Sequence, residues 1–374
     1  MTDDPVAPLA GLRVIDLSTV LAGPHAARYL ADFGADVIKI ESPRGDTMRG
    51  MGWYDEEDGM TYWWKYVNRG KRVATLDLKD ADDLAVMRSL LAEADVLVEN
   101  FRPGKLEALG LAPDDLLEAN PGLVILRVTG FGQTGPYKDR PGFATLAEAM
   151  SGLASINGEA DGGPLLPPIA LTDEVTGLAG AFATMVALHS GVGQVVDINL
   201  LESMMQLMGP LAAVWIDQGY LQPRMGSQLP YTVPRGSYQA SDGQWIALSA
   251  SSDSVAARVM ALLGFEGDER MTTFAGRIAN RDEVDGALRS WIGARDTDEI
   301  MRVFGELHIA AAPILDVAAL VADPHVVERE AITEVDGTPM QNLVARFSAT
   351  PGAIRWAGRG VDADGESIRR DGWQ

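Results

Sequence analysis

The chain contains no cysteine. That excludes disulfides, thiolate metal sites and a cysteine nucleophile. Histidine is scarce: His25, His189, His308 and His325 stand far apart, without metal-ligand spacing. Cations are in deficit, with 31 Lys plus Arg against 53 Asp plus Glu and a formal charge of −22. Such a surface repels nucleic acid and anionic membranes, and a polyanionic ligand would need a local basic cluster. No apolar run reads as long enough to span a bilayer. The start, residues 1–10, is acidic and proline-containing with no basic segment before an apolar one, which argues against a signal peptide. The expectation is a cytoplasmic protein with neither nucleic acid nor membrane as partner.

What is present is enough apolar material for two domains: 374 residues, 47% of them hydrophobic. The 40 glycines and 20 prolines are dispersed and read as turns. Short apolar strands are expected at 13–17, 36–41, 73–78, 95–101, 123–128 and 193–199. Helical patterns run between them, from Pro24 to Phe33 and from Asp80 to Ala94. This alternation predicts an α/β fold with a mostly parallel, doubly wound sheet. A long helical region, 145–188, is interrupted by a loop at 158–168, and a further helix is expected over 200–216. Beyond it a hairpin is predicted at Ser241-Asp242-Gly243, with amphipathic helices at 252–263, 281–292 and 297–307, as in a smaller α+β domain. A strand-rich stretch, 332–346, turns at Asp336-Gly337. The expected organisation is a large domain over 1–200, a linker helix over 201–225, a small domain over 226–320 and a return to the large domain over 321–374.

Three segments are candidates for chemistry. Ile15–Pro24 is a small-residue turn after a strand, the place where open α/β sheets bind ligands. It lacks a G-x-G-x-x-G pattern and also fits an ordinary βα turn. Asn100-Phe101-Arg102-Pro103-Gly104-Lys105 opens a helix after a strand. There, backbone N–H groups attract anions, and Arg102 and Lys105 add charge, with Lys71, Arg72 and Lys79 flanking the preceding strand. Solvated surface charges explain the same residues. Thr172-Asp173-Glu174 begins a helix, where capping already accounts for acidic residues. The same position suits a nucleophilic carboxylate, with glycines in the next turns allowing a ligand close approach. The four histidines have weak functional readings: His25, at the first helix, could face a ligand, but none of the four is taken as a site residue.

In these segments the sequence resembles the family III CoA-transferases, the group of formyl-CoA transferase and carnitine CoA-transferase, related to the α-methylacyl-CoA racemases. The resemblance runs through LAGLRVIDLSTVLAGP (9–24), GADVIKIESPRGD (34–46), NRGKRVATLDLK (68–79), ENFRPG (99–104), TGFGQTGP (129–136), the Asp173 segment, GQVVDINLLES (193–203), and Ala312–Ile314 with Asp323-Pro324-His325. It implies a Rossmann-like large domain, a small domain and an interlocked homodimer. It further implies that Asp173 attacks an acyl-CoA, giving an anhydride and then an aspartyl-CoA thioester from which a carboxylic acid takes the CoA. Oxyanion donors are expected at the start of the Asp173 helix or in the Gly130–Gly135 loop. Acyl-CoA and a small carboxylic acid are the implied substrates, with no tightly bound cofactor and no metal.

By motif match, the CoA contacts fall on Leu21 and Ala22, on Leu76, Asp77, Leu78 and Lys79, and on Asn100, Phe101 and Arg102; Lys105 is added on charge grounds. Ser42 and Ala108 stand where formyl-CoA transferase has nucleotide-binding arginines, so Arg44, Arg49 or Lys105 is expected to substitute. No glycine-rich loop lies near Ser249–Asp253, which weakens oxalate and formate as substrates. The racemase alternative needs a histidine where this chain has Phe143 and an acid where it has Ser252. A non-catalytic CoA-binding paralogue is a third reading, opposed by the retained Asp173. Substrate choice is expected to depend on 229–238, where Arg235 could pair with the distal carboxylate of a dicarboxylate such as succinate.

Overall fold

The computed structural model describes residues 7–374, so the acidic start read from residues 1–10 lies partly outside the described residues. Six strands form one parallel sheet: β1 (Arg13–Asp16), β2 (Asp36–Glu41), β3 (Lys71–Thr75), β4 (Val96–Glu99), β5 (Val124–Thr129) and β6 (Gln194–Asn199). Their order is β3-β2-β1-β4-β5-β6, the doubly wound order that reverses direction between β1 and β4. All six lie at the expected places. The third ends at Thr75 rather than residue 78, so Leu76–Lys79 follows the strand instead of forming it.

Both faces of the sheet are largely buried from β3 to β5, as crossover helices require, whereas the edge strand β6 is mostly exposed. Ile15, Ile38, Leu97 and Ile125 enter one core together with Met87, Leu90 and Leu91 of the Ala81–Ala92 helix. Val14, Val37, Val98 and Leu126 enter the other, with Ala26, Ala27 and Leu30 of helix α1 (Ala22–Asp32) and with Ala187. Ala187 belongs to the helix Leu171–Ser190, which packs on α1. At 20 residues this helix is long and apolar enough to cross a bilayer, contrary to the sequence reading. The chain divides into two compact units. The first holds the sheet, Pro167–Gly209 and Pro324–Gln374; the second holds Ala154–Leu166 and Pro210–Asp323.

The single helix expected over 200–216 is two, Leu200–Leu207 and Leu211–Gln218. Between them Gly209 takes a positive φ and Pro210 follows, so neither helix can continue through the other. In the second unit β7 (Arg235–Gln239) and β8 (Trp245–Ser249) make the expected hairpin, and β9 (Ala311–Pro313) joins β8. Back in the first unit, β10 (Ile332–Val335) and β11 (Thr338–Gln341) turn at Asp336-Gly337, both with positive φ. The terminal helix Gly365–Asp371 returns Ile368 and Trp373 to the core beside Leu90.

The packing of α1 on the Leu171–Ser190 helix requires glycine. A Cβ at Gly177 would lie 2.6 Å from the His25 Cβ and 3.0 Å from the Ala22 carbonyl oxygen. These glycines therefore admit a helix, not a ligand as the sequence suggested. Gly177→Ala is expected to cost about 1–3 kcal/mol, read from the urea midpoint. Gly286→Ala, in the helix Arg281–Gly293 where a new Cβ meets nothing within 4 Å, is expected to gain about 0.5–1 kcal/mol. Equal effects at the two positions would contradict the packing argument.

Candidate active site

The turn between β1 and α1 sits at the point where the strand order reverses. It is not an ordinary βα turn. Val20 holds φ at +67, a conformation a β-branched residue adopts only when its surroundings impose it. Several contacts do so. Asn100, just past β4, accepts from the Thr19 N–H at 2.8 Å and donates to the Thr19 carbonyl at 2.7 Å. The Val20 N–H reaches the Asp46 carboxylate. Lys39 donates to the Ser18 carbonyl, and Lys71 donates to the Pro24 carbonyl at 2.8 Å.

Both lysines are fully buried, and both pair with the buried Asp16. Burial pushes Lys71 down to about 8 despite Asp16. Burial also opposes the charge on Lys39, but Asp16 and Asp46 outweigh it and its pKa is raised. The charges inside the apolar strand Asp36–Glu41 were the sequence signal for this network, and it went unread. Glu99, held by Arg127 at 2.6 Å, accepts from the Phe101 N–H at 2.7 Å and fixes the second loop.

Asp173 stands in the first turn of the Leu171–Ser190 helix, which begins at the carboxyl end of the sheet. Ala170, the residue before it, packs against the cluster of Leu21, Met48 and Trp64. Glu174 lies 3.1 Å from His25 Nδ1 and 3.7 Å from Arg28, and it accepts from the Tyr29 hydroxyl. The His25 contact does not have hydrogen-bond geometry, since both ring nitrogens lack a partner; it is a close electrostatic approach. Burial lowers the pKa of His25. Burial raises Glu174, but His25, Arg28 and Tyr29 together outweigh it and hold its carboxyl below the usual range.

Asp173 itself is half-buried and enters no ion pair among the described residues. Burial first, then the charges of Glu148 and Glu174, push its pKa up to about 6. Glu148 lies on the helix Ala144–Met150, which follows the point where the backbones of Gly130 and Gly142 touch at the end of β5. It was not singled out from the sequence.

The other predicted residues fall into two groups. Leu21, Ala22 and Leu76 are buried, and the Asn100 side chain is hydrogen-bonded to the Thr19 backbone. Asp77 and Leu78 are partly buried, Asp77 accepting from the Lys79 N–H, and Phe101 is half-buried on its pinned loop. Lys79, Arg102 and Lys105 are exposed and enter no ion pair among the described residues, and Arg44 is the same. Arg49 is not available as a substitute cation: Glu41 binds it at 2.6 Å and its guanidinium stacks on Trp64. Lys71 is buried under the turn and Arg72 pairs with Asp36 at 2.6 Å, so of the three cations around β3 only Lys79 is available. Phe143 is exposed, and Ser252 caps the helix Asp253–Leu262 in the second unit.

An open parallel sheet with its loops gathered at the reversal point is the arrangement in which α/β proteins bind ligands. The family model for CoA-transferase family III matches residues 9–363, and the chain belongs to that family. It is 36% identical to succinyl-CoA–D-citramalate CoA-transferase of Chloroflexus aurantiacus over 98% of this chain and 94% of that one. It is 37% identical to the beta subunit of succinyl-CoA–L-malate CoA-transferase of the same organism, over 97% and 94%. Its fold matches the crystal structure of a CaiB/BaiF family protein from Brucella suis with a TM-score of 0.86 at 32% identity, covering 98% of this chain and 99% of that one. The chain is accordingly a CoA-transferase that acts between acyl-CoA and carboxylic acid.

The raised pKa of Asp173 has a consequence for stability. A carboxyl titrating near 6 when folded and near 3.8 when unfolded favours the folded state only while protonated, so stability is given up as pH rises from about 4 through about 6. Asp173→Asn removes that loss. The variant is expected to melt above the wild type at pH 8, by at most on the order of 3 kcal/mol, with the advantage shrinking as the pH falls toward 4. A melting difference independent of pH would contradict the assignment.

Proposed function

We propose that the protein transfers CoA from succinyl-CoA to a small dicarboxylic acid by way of covalent intermediates on Asp173. An Asp173 oxygen attacks the thioester carbonyl carbon. The new O–C bond makes a mixed anhydride as the C–S bond breaks and CoA leaves as its thiolate. The thiolate then attacks the Asp173 carbonyl, giving an aspartyl-CoA thioester and releasing succinate. The acceptor carboxylate attacks that thioester, and the same two steps in reverse deliver its CoA ester and restore Asp173. No net proton transfer is required, and thioester energy is conserved. The observation that carries this reading is the half-buried Asp173 carboxylate, which has no ion pair among the described residues and is more basic than a surface aspartate. The succinyl donor and dicarboxylate acceptor are suggested by the two Chloroflexus relatives, both of which use succinyl-CoA with a dicarboxylate.

The N–H groups of Thr172 and Asp173 have no partner among the described residues, as the first turn of a helix leaves them. They are the favoured oxyanion donors. The alternative loop is less suited, because the N–H groups of Gly132 and Gln133 already donate to Thr129 and Asp197. The unpaired Arg44, Lys79, Arg102 and Lys105, at the carboxyl ends of β2, β3 and β4, would meet the CoA phosphates. In the second unit Arg235 donates to the Ser227 carbonyl. We also read the chain as a cytoplasmic homodimer with a large and a small domain. Leu178, Phe182 and Val186 form an exposed apolar stripe on the Asp173 helix of the kind a second subunit covers.

Asp173→Ala is expected to abolish transfer while CoA still binds, measured by thioester exchange and by calorimetry. Hydroxylamine added to wild type with succinyl-CoA should leave a hydroxamate on Asp173 in the mass spectrum. Activity retained in the variant would end the nucleophile reading. Arg102→Ala and Lys79→Ala should each raise KM for the CoA ester about five- to tenfold, as loss of a phosphate contact does, with little change in kcat; an unchanged KM in both would remove them from the binding site.

A further inference from the structure

Two carboxylates act on Asp173, and the fold treats them differently. Glu174 is answered by α1 through His25, Arg28 and Tyr29. Glu148 is not answered. Its side chain is 3% exposed, and it enters no ion pair among the described residues. Its hydrogen bond comes from the Thr172 hydroxyl at 2.9 Å, and Thr172 is itself fully buried. A carboxylate this deep ordinarily has a cation beside it, because an uncompensated buried charge weakens a fold. An uncompensated charge that contacts the residue next to Asp173 therefore calls for a role other than stability.

We propose that Glu148 is a positioning residue for the transfer reaction: through Thr172 it fixes the turn that carries Asp173, and its charge makes the Asp173 carboxylate a stronger nucleophile. This inference rests on the reading of Asp173 as acyl acceptor. When Asp173 attacks, the Oδ–C bond forms, the C–S bond breaks, and one negative charge moves from Asp173 to the departing sulfur. Repulsion from Glu148 is greatest before attack and is relieved as that charge moves away. The free carboxylate is thus raised toward its acylated forms, and the anhydride and thioester lie closer to it in free energy. Glu148 gives and takes no proton.

The charges facing Asp173 support this reading. Glu148 comes from the Ala144–Met150 helix and Glu174 from its own helix. His25, Arg28 and Tyr29 of α1 act on Glu174. The sheet behind the helix offers apolar side chains such as Leu126, and the Leu200–Leu207 helix offers Leu200 and Met204. Glu148 is therefore the charge near Asp173 that enters no ion pair among the described residues.

The decisive experiment is the pH profile of transfer by Glu148→Gln, which keeps an acceptor for Thr172 and removes the charge. Wild type should gain activity through about pH 6, as Asp173 ionises. In E148Q the rise should move to lower pH while the plateau kcat falls roughly three- to tenfold, as up to one unit of lost basicity translates, and KM for succinyl-CoA stays near its wild-type value. Glu148→Asp should keep the wild-type profile. A purely structural role would lower kcat and melting temperature without moving the rise, and that result overturns the proposal. If E148Q is not recovered folded, Thr172→Val, which keeps the Glu148 charge, tests the clamp: reduced kcat with an unmoved rise and a wild-type melting temperature supports it, and wild-type kcat, or a loss that accompanies a lowered melting temperature, overturns it. Failure to trap an acyl group on wild-type Asp173 would refute the nucleophile reading itself, whereas trapping with an unmoved E148Q profile refutes only the role of Glu148.

Discussion

The close approach of α1 and the Leu171–Ser190 helix is the constraint on which the site depends. α1 begins at the turn where the sheet reverses direction, and the second helix carries Asp173 one turn before Gly177. Because Gly177 has no Cβ, the Ala22 carbonyl and His25 can lie directly against it. That contact brings Glu174 under His25 and Arg28, and brings Ala170 onto the cluster that holds Leu21. The turn is pinned in its own right by Asn100, Asp46, Lys39 and Lys71, so Asp173 is located relative to a turn that has little freedom to move. A looser helix pair would leave the Asp173 carboxylate and the turn before α1 as two separately moving parts, and for the transfer proposed above small misplacements of reacting groups are costly in rate.

The second theme is how a chain of formal charge −22 spends its cations. Most of those near the sheet are used internally: Lys39 and Lys71 with Asp16, Arg49 with Glu41, Arg72 with Asp36, Arg127 with Glu99. Arg44, Lys79, Arg102 and Lys105 are not, and they stand after consecutive strands at the carboxyl edge. Against a negative surface their field is local, which suits a phosphate-bearing ligand that must be held at one place. Asp173 is treated in the opposite way, with carboxylates near it and no cation. The same protein thus places positive charge where it would bind and withholds it where it would react.

Much of this was legible in the sequence. The six strands of the sheet came from short apolar runs flanked by turns, and Asp336-Gly337 and Ser241-Asp242-Gly243 marked hairpins through residues that accept positive φ. Less legible were features set by contacts distant in sequence. Nothing local distinguishes Asn100 as a clamp on Thr19 from Asn100 as a ligand contact, since the difference lies in an atom 81 residues away. Arg49 reads as an available cation until Glu41 is seen beside it. Gly177 and Gly180 read as room for a ligand until α1 and, at Gly180, Leu126 fill the space. Glu148 was invisible because an acidic residue in a helix is ordinarily solvated, and only folding reveals that this one is not. The Lys within the Asp36–Glu41 strand was the missed clue: a charge in a strand buried on both faces implies a partner.

The central claim is that the Asp173 carboxylate becomes covalently acylated in each turnover, and oxygen-isotope transfer tests it most directly. When the acceptor acid carries oxygen-18 in its carboxylates, its attack on the aspartyl-CoA thioester puts a labelled oxygen between the two carbonyl carbons. Return of the CoA thiolate to the acceptor carbonyl then leaves that oxygen on Asp173. After turnover with succinyl-CoA and labelled dicarboxylate, the peptide containing Asp173 should carry the heavy isotope at that side chain. A peptide that stays unlabelled while labelled acyl-CoA accumulates would contradict the account.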